Sequence, residues 1–176
     1  MKPRSRKTNV QGVEGNPQLD LYNLIDDTNE ANPLINRCQY YEPHETQKIK
    51  SSDLDFKVLH LNVHSLPDKV DQLKDLLFKL DDEGHSIDAM LLCETFLNDR
   101  NKDLCNIDGY TLMYKNRTNK SRGGVAIFLK NAIKFKERQD LSLFDEGKFE
   151  SIFLEVYGNK KNLIIGEVYR VPNTNE

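Results

Sequence analysis

The chain contains two apolar runs that end abruptly in polar residues, and a helical pattern separates them. The first run ends at Asn62 and His64, and the second run ends at Glu94. Between them, residues 67–84 have apolar side chains at the three- and four-residue spacing of an amphipathic helix. The pattern therefore predicts a strand, a helix and a second strand.

Both ends of this predicted helix carry residues that commonly start or end helices. Ser65 can cap its start and Gly84 can close it. A strand–helix–strand unit implies parallel strands, whose carboxyl ends lie at one edge of the sheet, where ligands of open α/β sheets bind. We therefore expect Asn62, His64 and Glu94 to be neighbours in space.

Strand patterns continue to the end of the chain. Six strands are predicted: Phe56–Val63, Ile87–Leu92, Tyr110–Tyr114, Gly124–Leu129, Phe149–Tyr157 and Asn162–Tyr169. No helical interval separates the last three, so we expect antiparallel strands there. The continuous apolar run at 163–165 predicts a strand that is covered on both faces. Residues 53–176 are thus predicted to form one α/β domain.

Residues 1–52 differ from the rest, because they are polar and contain few aliphatic side chains. Such a composition cannot bury a core, and we expect a disordered or weakly structured tail. Its basic tip, which includes Arg4 and Arg6, is interpreted as a solvated tail. A localisation signal or a DNA-contacting arm is the alternative.

Composition narrows the class of protein. A chain of 176 residues with a formal net charge of −3 is one domain at most, and any affinity for nucleic acid must come from local patches. Three cysteines without paired spacing, and no signal peptide, indicate a reducing compartment, nuclear or cytoplasmic. No apolar run approaches the roughly 20 residues that a membrane helix needs, so no membrane partner is expected.

The polar residues after the two runs suit metal or phosphate chemistry. Glu94 is a hard oxygen ligand of the kind that Mg²⁺ prefers, although a helix cap or a solvated turn residue is an equally simple interpretation. Asn62 can donate to a phosphate or orient a carboxylate, or it can satisfy its own turn. His64 can bind a metal or a phosphate, but an isolated histidine is more often structural.

Two further segments contain candidate phosphate contacts. The polar loop at 115–122 includes Arg117 and Arg122, at a spacing that suits successive phosphates or an exposed hairpin tip. Tyr169 and Arg170 end the last strand, where both can contact a phosphate or serve as an aromatic anchor and a surface charge.

Taken in chain order, these motifs resemble the endonuclease/exonuclease/phosphatase superfamily, specifically the apurinic-site-like endonuclease domain of non-LTR (LINE-type) retrotransposons. The resemblance covers about Phe56 to Asn173. The matching segments are Leu59–Leu66, Leu92–Phe96 with residues 97–99, Gly109-Tyr110, Arg117 with Arg122–Leu129, Phe149-Glu150 and Val168–Asn173.

The resemblance implies a partial two-sheet α/β sandwich with its site along one edge. It also implies metal-dependent cleavage of a DNA phosphodiester by an activated water. By position, Asn62 and Tyr169 match catalytic residues, and Glu94 matches the Mg²⁺ ligand, with Mn²⁺ as an alternative ion. Five residues are assigned to phosphate or DNA contact: His64, Arg117, Arg122, Arg170 and Asn173.

The family's later motifs, a Gly-Asp-Phe-Asn-like and a Ser-Asp-His-like segment, do not occur in this sequence. We therefore expect the N-terminal part of an endonuclease domain, without turnover of its own. The missing C-terminal half, or a reverse transcriptase on the same parent polypeptide, would be its partner. A non-catalytic relic or weak DNA-binding module is the alternative, and a sphingomyelinase- or inositol-phosphatase-like relative is a third interpretation. If the second sheet is absent, the first sheet would expose its inner apolar face and the product would be poorly soluble.

Overall fold

The computed structural model of the protein describes residues 49, 55–119 and 122–171. The predicted tail, apart from Ile49, lies outside these residues, and so does Asn173. The regular elements are β1 (Val58–Asn62), α1 (Val70–Asp82), β2 (Ala89–Cys93), a short 3-10 helix (Lys102–Cys105), β3 (Tyr110–Lys115), β4 (Val125–Lys130), β5 (Phe135–Glu137), β6 (Phe144–Asp145), β7 (Phe149–Val156) and β8 (Leu163–Arg170). None of the helices in the described part has the length and apolarity that a membrane crossing requires.

The first sheet has the strand order β1-β2-β4-β3. Strands β1 and β2 are parallel, as predicted, and Asn62 pairs with Cys93 where both strands end. Strand β4 runs antiparallel to both of its neighbours. Every residue of β2 is buried, so this strand lies at the centre of the fold. Because β1 and β2 are parallel, their carboxyl ends lie side by side.

Helix α1 packs on one face of the first sheet through an apolar side that includes Leu73 and Leu80. Its C-terminal end is as predicted, because Gly84 adopts the left-handed φ of +84° that a glycine tolerates. The predicted cap is wrong. Lys69 precedes the first helical residue without a side-chain capping bond, and the Ser65 hydroxyl donates to Asp68 instead.

A second sheet covers the other face of the first. Its central strand β7 has β8 on one side and the short strands β5 and β6 on the other, all antiparallel. The two sheets enclose an apolar core to which Leu91, Ile127, Ile152 and Leu154 contribute. The expected two-sheet α/β sandwich is therefore confirmed, and the premise that the second sheet is missing is wrong. Poor solubility stays an untested prediction.

Strand β8 differs from its prediction. Ile165 and Glu167 point into the sandwich and are buried, whereas Leu163, Ile164 and Val168 are more than 40% exposed. The apolar run at 163–165 therefore does not mark a strand covered on both faces. Strands β5 and β6 were not predicted, because three and two residues are too few to show a period.

Candidate active site

The loops that follow β1 and β2 are joined beyond the ends of the strands. The backbone N–H of Ser65 donates to the Glu94 carbonyl at 2.9 Å, and that of Leu66 donates to the Thr95 carbonyl at 2.9 Å. The parallel pairing thus continues into both loops. As a consequence, polar residues that lie about 30 positions apart in sequence share one edge of the sheet.

Four side chains meet at this edge. Asn62 Nδ2 donates to Glu94 Oε1 at 2.8 Å, and the Tyr169 hydroxyl donates to the same oxygen at 3.0 Å. His64 Nδ1 lies 2.9 Å from the other oxygen, Oε2. We call Asn62, His64, Glu94 and Tyr169 the Glu94 cluster. The predicted proximity of Asn62, His64 and Glu94 is confirmed.

The hydrogen bonds of the cluster set the protonation of its members. The bonds from His64 and Asn62 lower the pKa of Glu94 against the opposing effect of burial. Burial, followed by the bond to Glu94, raises the pKa of Tyr169 to about 12. At neutral pH the carboxyl group is therefore ionised and the phenol keeps its proton, so that Tyr169 acts as a hydrogen-bond donor.

The backbone of the two loops is strained at four positions. His64, Ser65, Glu94 and Phe96 have φ values of 43°, 88°, 52° and 54°, and they are the only non-glycine residues of the described ranges with positive φ. Such conformations cost about 1–3 kcal/mol each and persist only where the surroundings enforce them. They concentrate at functional sites in proteins, and here they flank the Glu94 cluster.

A buried carboxylate supports the loop after β2 from behind. The Phe96 N–H donates to the Gly123 carbonyl at 2.8 Å, and the Thr95 N–H donates to the Gly124 carbonyl at 3.3 Å. The Gly124 N–H in turn donates to Glu150 Oε2 at 2.7 Å. Since Glu150 is fully buried on β7, the second sheet fixes the glycine pair and, through it, the loop of Glu94.

Arg117 is not the exposed loop cation that the sequence predicts. Its side chain is buried, and Nε forms an ion pair with Glu150. The guanidinium lies against Gly123, where a Cβ atom would be 2.2 Å from the Arg117 carbon Cζ. The next residue, Thr118, donates its backbone N–H to Glu146 at 2.6 Å. The charge of Arg117 is therefore neutralised by Glu150, the carboxylate that also holds Gly124. Arg117 supports the site from behind and does not face a phosphate.

The other predicted phosphate contacts are placed differently relative to the Glu94 cluster. His64 belongs to it, and its side chain is 70% exposed. Arg122 is exposed and directly precedes Gly123, the partner of the Glu94 loop. Arg170 is also exposed, but it follows Tyr169 in a strand, and successive strand residues point to opposite faces. The structure therefore does not bring Arg170 to the Glu94 cluster.

A second polar group that the sequence analysis missed lies next to the cluster. His60 Nε2 is 3.2 Å from Glu167 Oε1, and Cys93 Sγ completes a set of three ligand atoms within 4.8 Å of one another. Burial raises the pKa of Glu167, and burial together with nearby carboxylates raises that of Cys93 to about 11. One feature of the sequence could have indicated this group: Glu167 lies within a largely apolar strand, two residues before Tyr169.

The donor atoms of the Glu94 cluster fit a magnesium ion. Mg²⁺ is commonly held by one or two carboxylates together with water and phosphate oxygens. Asn62 and Tyr169 fix one oxygen of Glu94, while the other faces the largely exposed imidazole of His64. The 19% exposure of the Glu94 side chain leaves it accessible to an ion and its water ligands.

The sequence model of the Endonuclease/Exonuclease/phosphatase family matches residues 59–173. This range includes all four members of the Glu94 cluster, the glycine pair at 123–124 and Glu150. A comparison with curated proteins gives no match.

Proposed function

Since the chain belongs to the endonuclease/exonuclease/phosphatase family, we propose that its Glu94 cluster binds Mg²⁺ and a DNA phosphate as part of a DNA endonuclease domain. The observation that supports this most strongly is the Glu94 carboxylate itself. Two loops and a strand of the second sheet hold it at the edge of the first sheet, ionised and open to solvent.

Each member of the cluster has a task in this proposal. Glu94 provides the oxygen ligand, and Asn62 and Tyr169 fix its orientation through Oε1. His64, whose Nδ1 lies 2.9 Å from Oε2, would face a bound phosphate from the exposed side of the cluster. A bound Mg²⁺ supplies positive charge that stabilises the oxygens of a phosphodiester.

DNA is the proposed substrate because of the motifs that flank the cluster. The Arg-Gly-Gly strand start at 122–124 and the Tyr-Arg-Val-Pro-Asn segment at 169–173 resemble the retrotransposon branch of the family more than its lipid or inositol phosphatases. We therefore propose that the parent polypeptide nicks target DNA and continues into a reverse transcriptase. The formal charge of −3 means that DNA contact depends on local groups such as Arg122.

Turnover requires more than this cluster. In-line hydrolysis needs a general base and groups that stabilise charge on both reacting oxygens. The Glu94 cluster, as the described residues form it, contains one carboxylate. We propose that this chain binds metal and phosphate without cleaving DNA.

The test combines DNA binding with cleavage. A labelled duplex is titrated with the protein at constant ionic strength, with and without Mg²⁺, and a supercoiled plasmid is incubated under the same conditions. A carboxylate–metal–phosphate contact predicts at least about tenfold tighter binding with Mg²⁺, and Glu94→Gln abolishes that gain. Asp71→Asn, on the exposed side of α1, is the matched acid-to-amide control and keeps it.

The outcomes separate the interpretations. DNA binding that weakens with salt but ignores Mg²⁺ would favour the non-catalytic binding module. Absence of any DNA binding would contradict the proposal. Nicking by the unchanged chain that disappears in Glu94→Gln would confirm the site and overturn the proposed lack of turnover.

A further inference from the structure

Three side chains with different donor atoms converge between the two sheets. His60 lies on β1, Cys93 on β2 and Glu167 on β8. Their nearest pair, His60 Nε2 and Glu167 Oε1, is 3.2 Å apart, and all three ligand atoms lie within 4.8 Å of one another. Cys93 and Glu167 are buried, whereas the His60 side chain is 62% exposed.

This combination is unlike the Glu94 cluster in its chemistry. One imidazole nitrogen, one sulfur and one carboxylate oxygen form the donor set that suits Zn²⁺ and other borderline-soft dications. Mg²⁺ prefers oxygen ligands alone. We propose that His60, Cys93 and Glu167 form a second metal site, selective for Zn²⁺ or a similar thiophilic dication.

The distances agree with such a site. Ligand atoms bound tetrahedrally at about 2.0–2.3 Å from a zinc ion lie roughly 3.3–3.8 Å apart. The His60–Glu167 distance of 3.2 Å falls near this range, and Cys93 Sγ lies within 4.8 Å of both ligand atoms. Three protein ligands leave one position for water, and the exposed side of His60 gives solvent a path to it.

A buried carboxylate also makes the proposal physically reasonable. Glu167 is 2% exposed, and burying an ionised carboxylate is costly unless charge and hydrogen bonds compensate it. A dication at this position would provide that compensation. It would also link the two sheets, because its ligands come from β1 and β2 on one side and from β8 on the other.

The experiment uses cobalt as a spectroscopic substitute for zinc. The metal-free protein is titrated with Co²⁺, and the thiolate-to-cobalt charge-transfer band in the near ultraviolet is recorded before Zn²⁺ is added as a competitor. We expect the band to form at one equivalent and to disappear with Zn²⁺. Cys93→Ser abolishes the band, and His60→Gln weakens Zn²⁺ affinity by at least about tenfold. Because His60 is mostly exposed, its replacement leaves the core packing intact.

Matched variants show which residues bind the ion. Cys38→Ser and Cys105→Ser change the other two thiols and should keep the band. Glu94→Gln should also keep it, although it removes the proposed Mg²⁺ ligand, so failure of this site and failure of the nuclease proposal are distinguishable. Absence of the band in the unchanged protein, or a band that survives Cys93→Ser, would overturn the proposal.

Discussion

The hydroxyl of Tyr169 donates a 3.0 Å hydrogen bond to Glu94, although the two residues lie 75 positions apart in sequence. Glu94 follows a strand of the first sheet, and Tyr169 lies near the end of a strand in the second. The bond therefore fixes the position of the proposed metal ligand relative to both layers of the sandwich. The geometry of the Glu94 cluster depends on the second sheet being in place.

Removing this bond should weaken metal binding. In Tyr169→Phe, Glu94 keeps its bonds to Asn62 and His64 but loses its link to β8. Groups that orient a metal ligand typically contribute 10- to 100-fold in affinity, so we expect a loss in that range for Mn²⁺, measured by calorimetry. Tyr157→Phe, at an exposed position next to β7, is the control and should leave the affinity unchanged. Equal affinity in both variants would contradict a role for the Tyr169 hydroxyl.

Breaking the buried pair of Arg117 and Glu150 should destabilise the fold strongly. Removal of one partner of a buried ion pair costs about 3–5 kcal/mol because it leaves a buried charge uncompensated. We expect Arg117→Met to lower the free energy of unfolding by this amount in urea denaturation. Lys74→Met, which breaks an exposed pair with Asp71, should cost no more than about 1 kcal/mol. Similar costs for the two variants would show that Arg117 does not hold a buried charge.

The glycine pair offers a test of the support behind the Glu94 loop. A Cβ atom at Gly124 would lie 2.8 Å from Thr95 Oγ1 and 3.2 Å from the Lys115 carbonyl, whereas one at Gly109 would meet nothing within 4 Å. Both residues have positive φ, so alanine adds a conformational cost of about 1–2 kcal/mol at each. Thermal unfolding should therefore show a clearly larger loss for Gly124→Ala than for Gly109→Ala. Equal losses would mean that only the backbone conformation matters.

The stabilising contribution of Glu94 should depend on pH in a defined direction. Its pKa in the folded protein lies below the ordinary value of 4.5, so folding favours the ionised form. The contribution is then fully present above pH 4.5 and is lost as pH falls through the lowered folded pKa. In chelator-treated protein, the difference in unfolding free energy between the unchanged chain and Glu94→Gln should narrow as pH falls below 4.5. A difference that widens on acidification would contradict the hydrogen-bonding pattern.

The local pattern of apolar and polar residues was enough to predict that three members of the Glu94 cluster lie together. Asn62, His64 and Glu94 end two apolar runs separated by a helix, and the rule that parallel strands end at one edge brings them together. Tyr169 was a candidate phosphate contact from its place at the end of a strand, but its catalytic role came from the family resemblance, because no local pattern connects it to Glu94, 75 positions away.

Other features depend on contacts that no local pattern contains. Arg117 is buried because Gly123 has no side chain to displace its guanidinium, and because Glu150, on the second sheet, pairs with its charge. The group of His60, Cys93 and Glu167 exists only where two sheets face each other, and its first and last members lie 107 positions apart in sequence. Charged residues in polar loops are usually exposed, so the sequence favoured the wrong environment for Arg117.

The central claim is that Glu94 binds a divalent cation for phosphodiester chemistry. The most direct measurement is the loss of the free Mn²⁺ paramagnetic resonance signal as the metal-free protein is titrated, with Cys93→Ser and Asp71→Asn as controls. We expect one Mn²⁺ site in the unchanged chain and in both controls, competed by Mg²⁺ and abolished by Glu94→Gln. A site that survives Glu94→Gln, or no Mn²⁺ binding by the unchanged chain, would contradict the account.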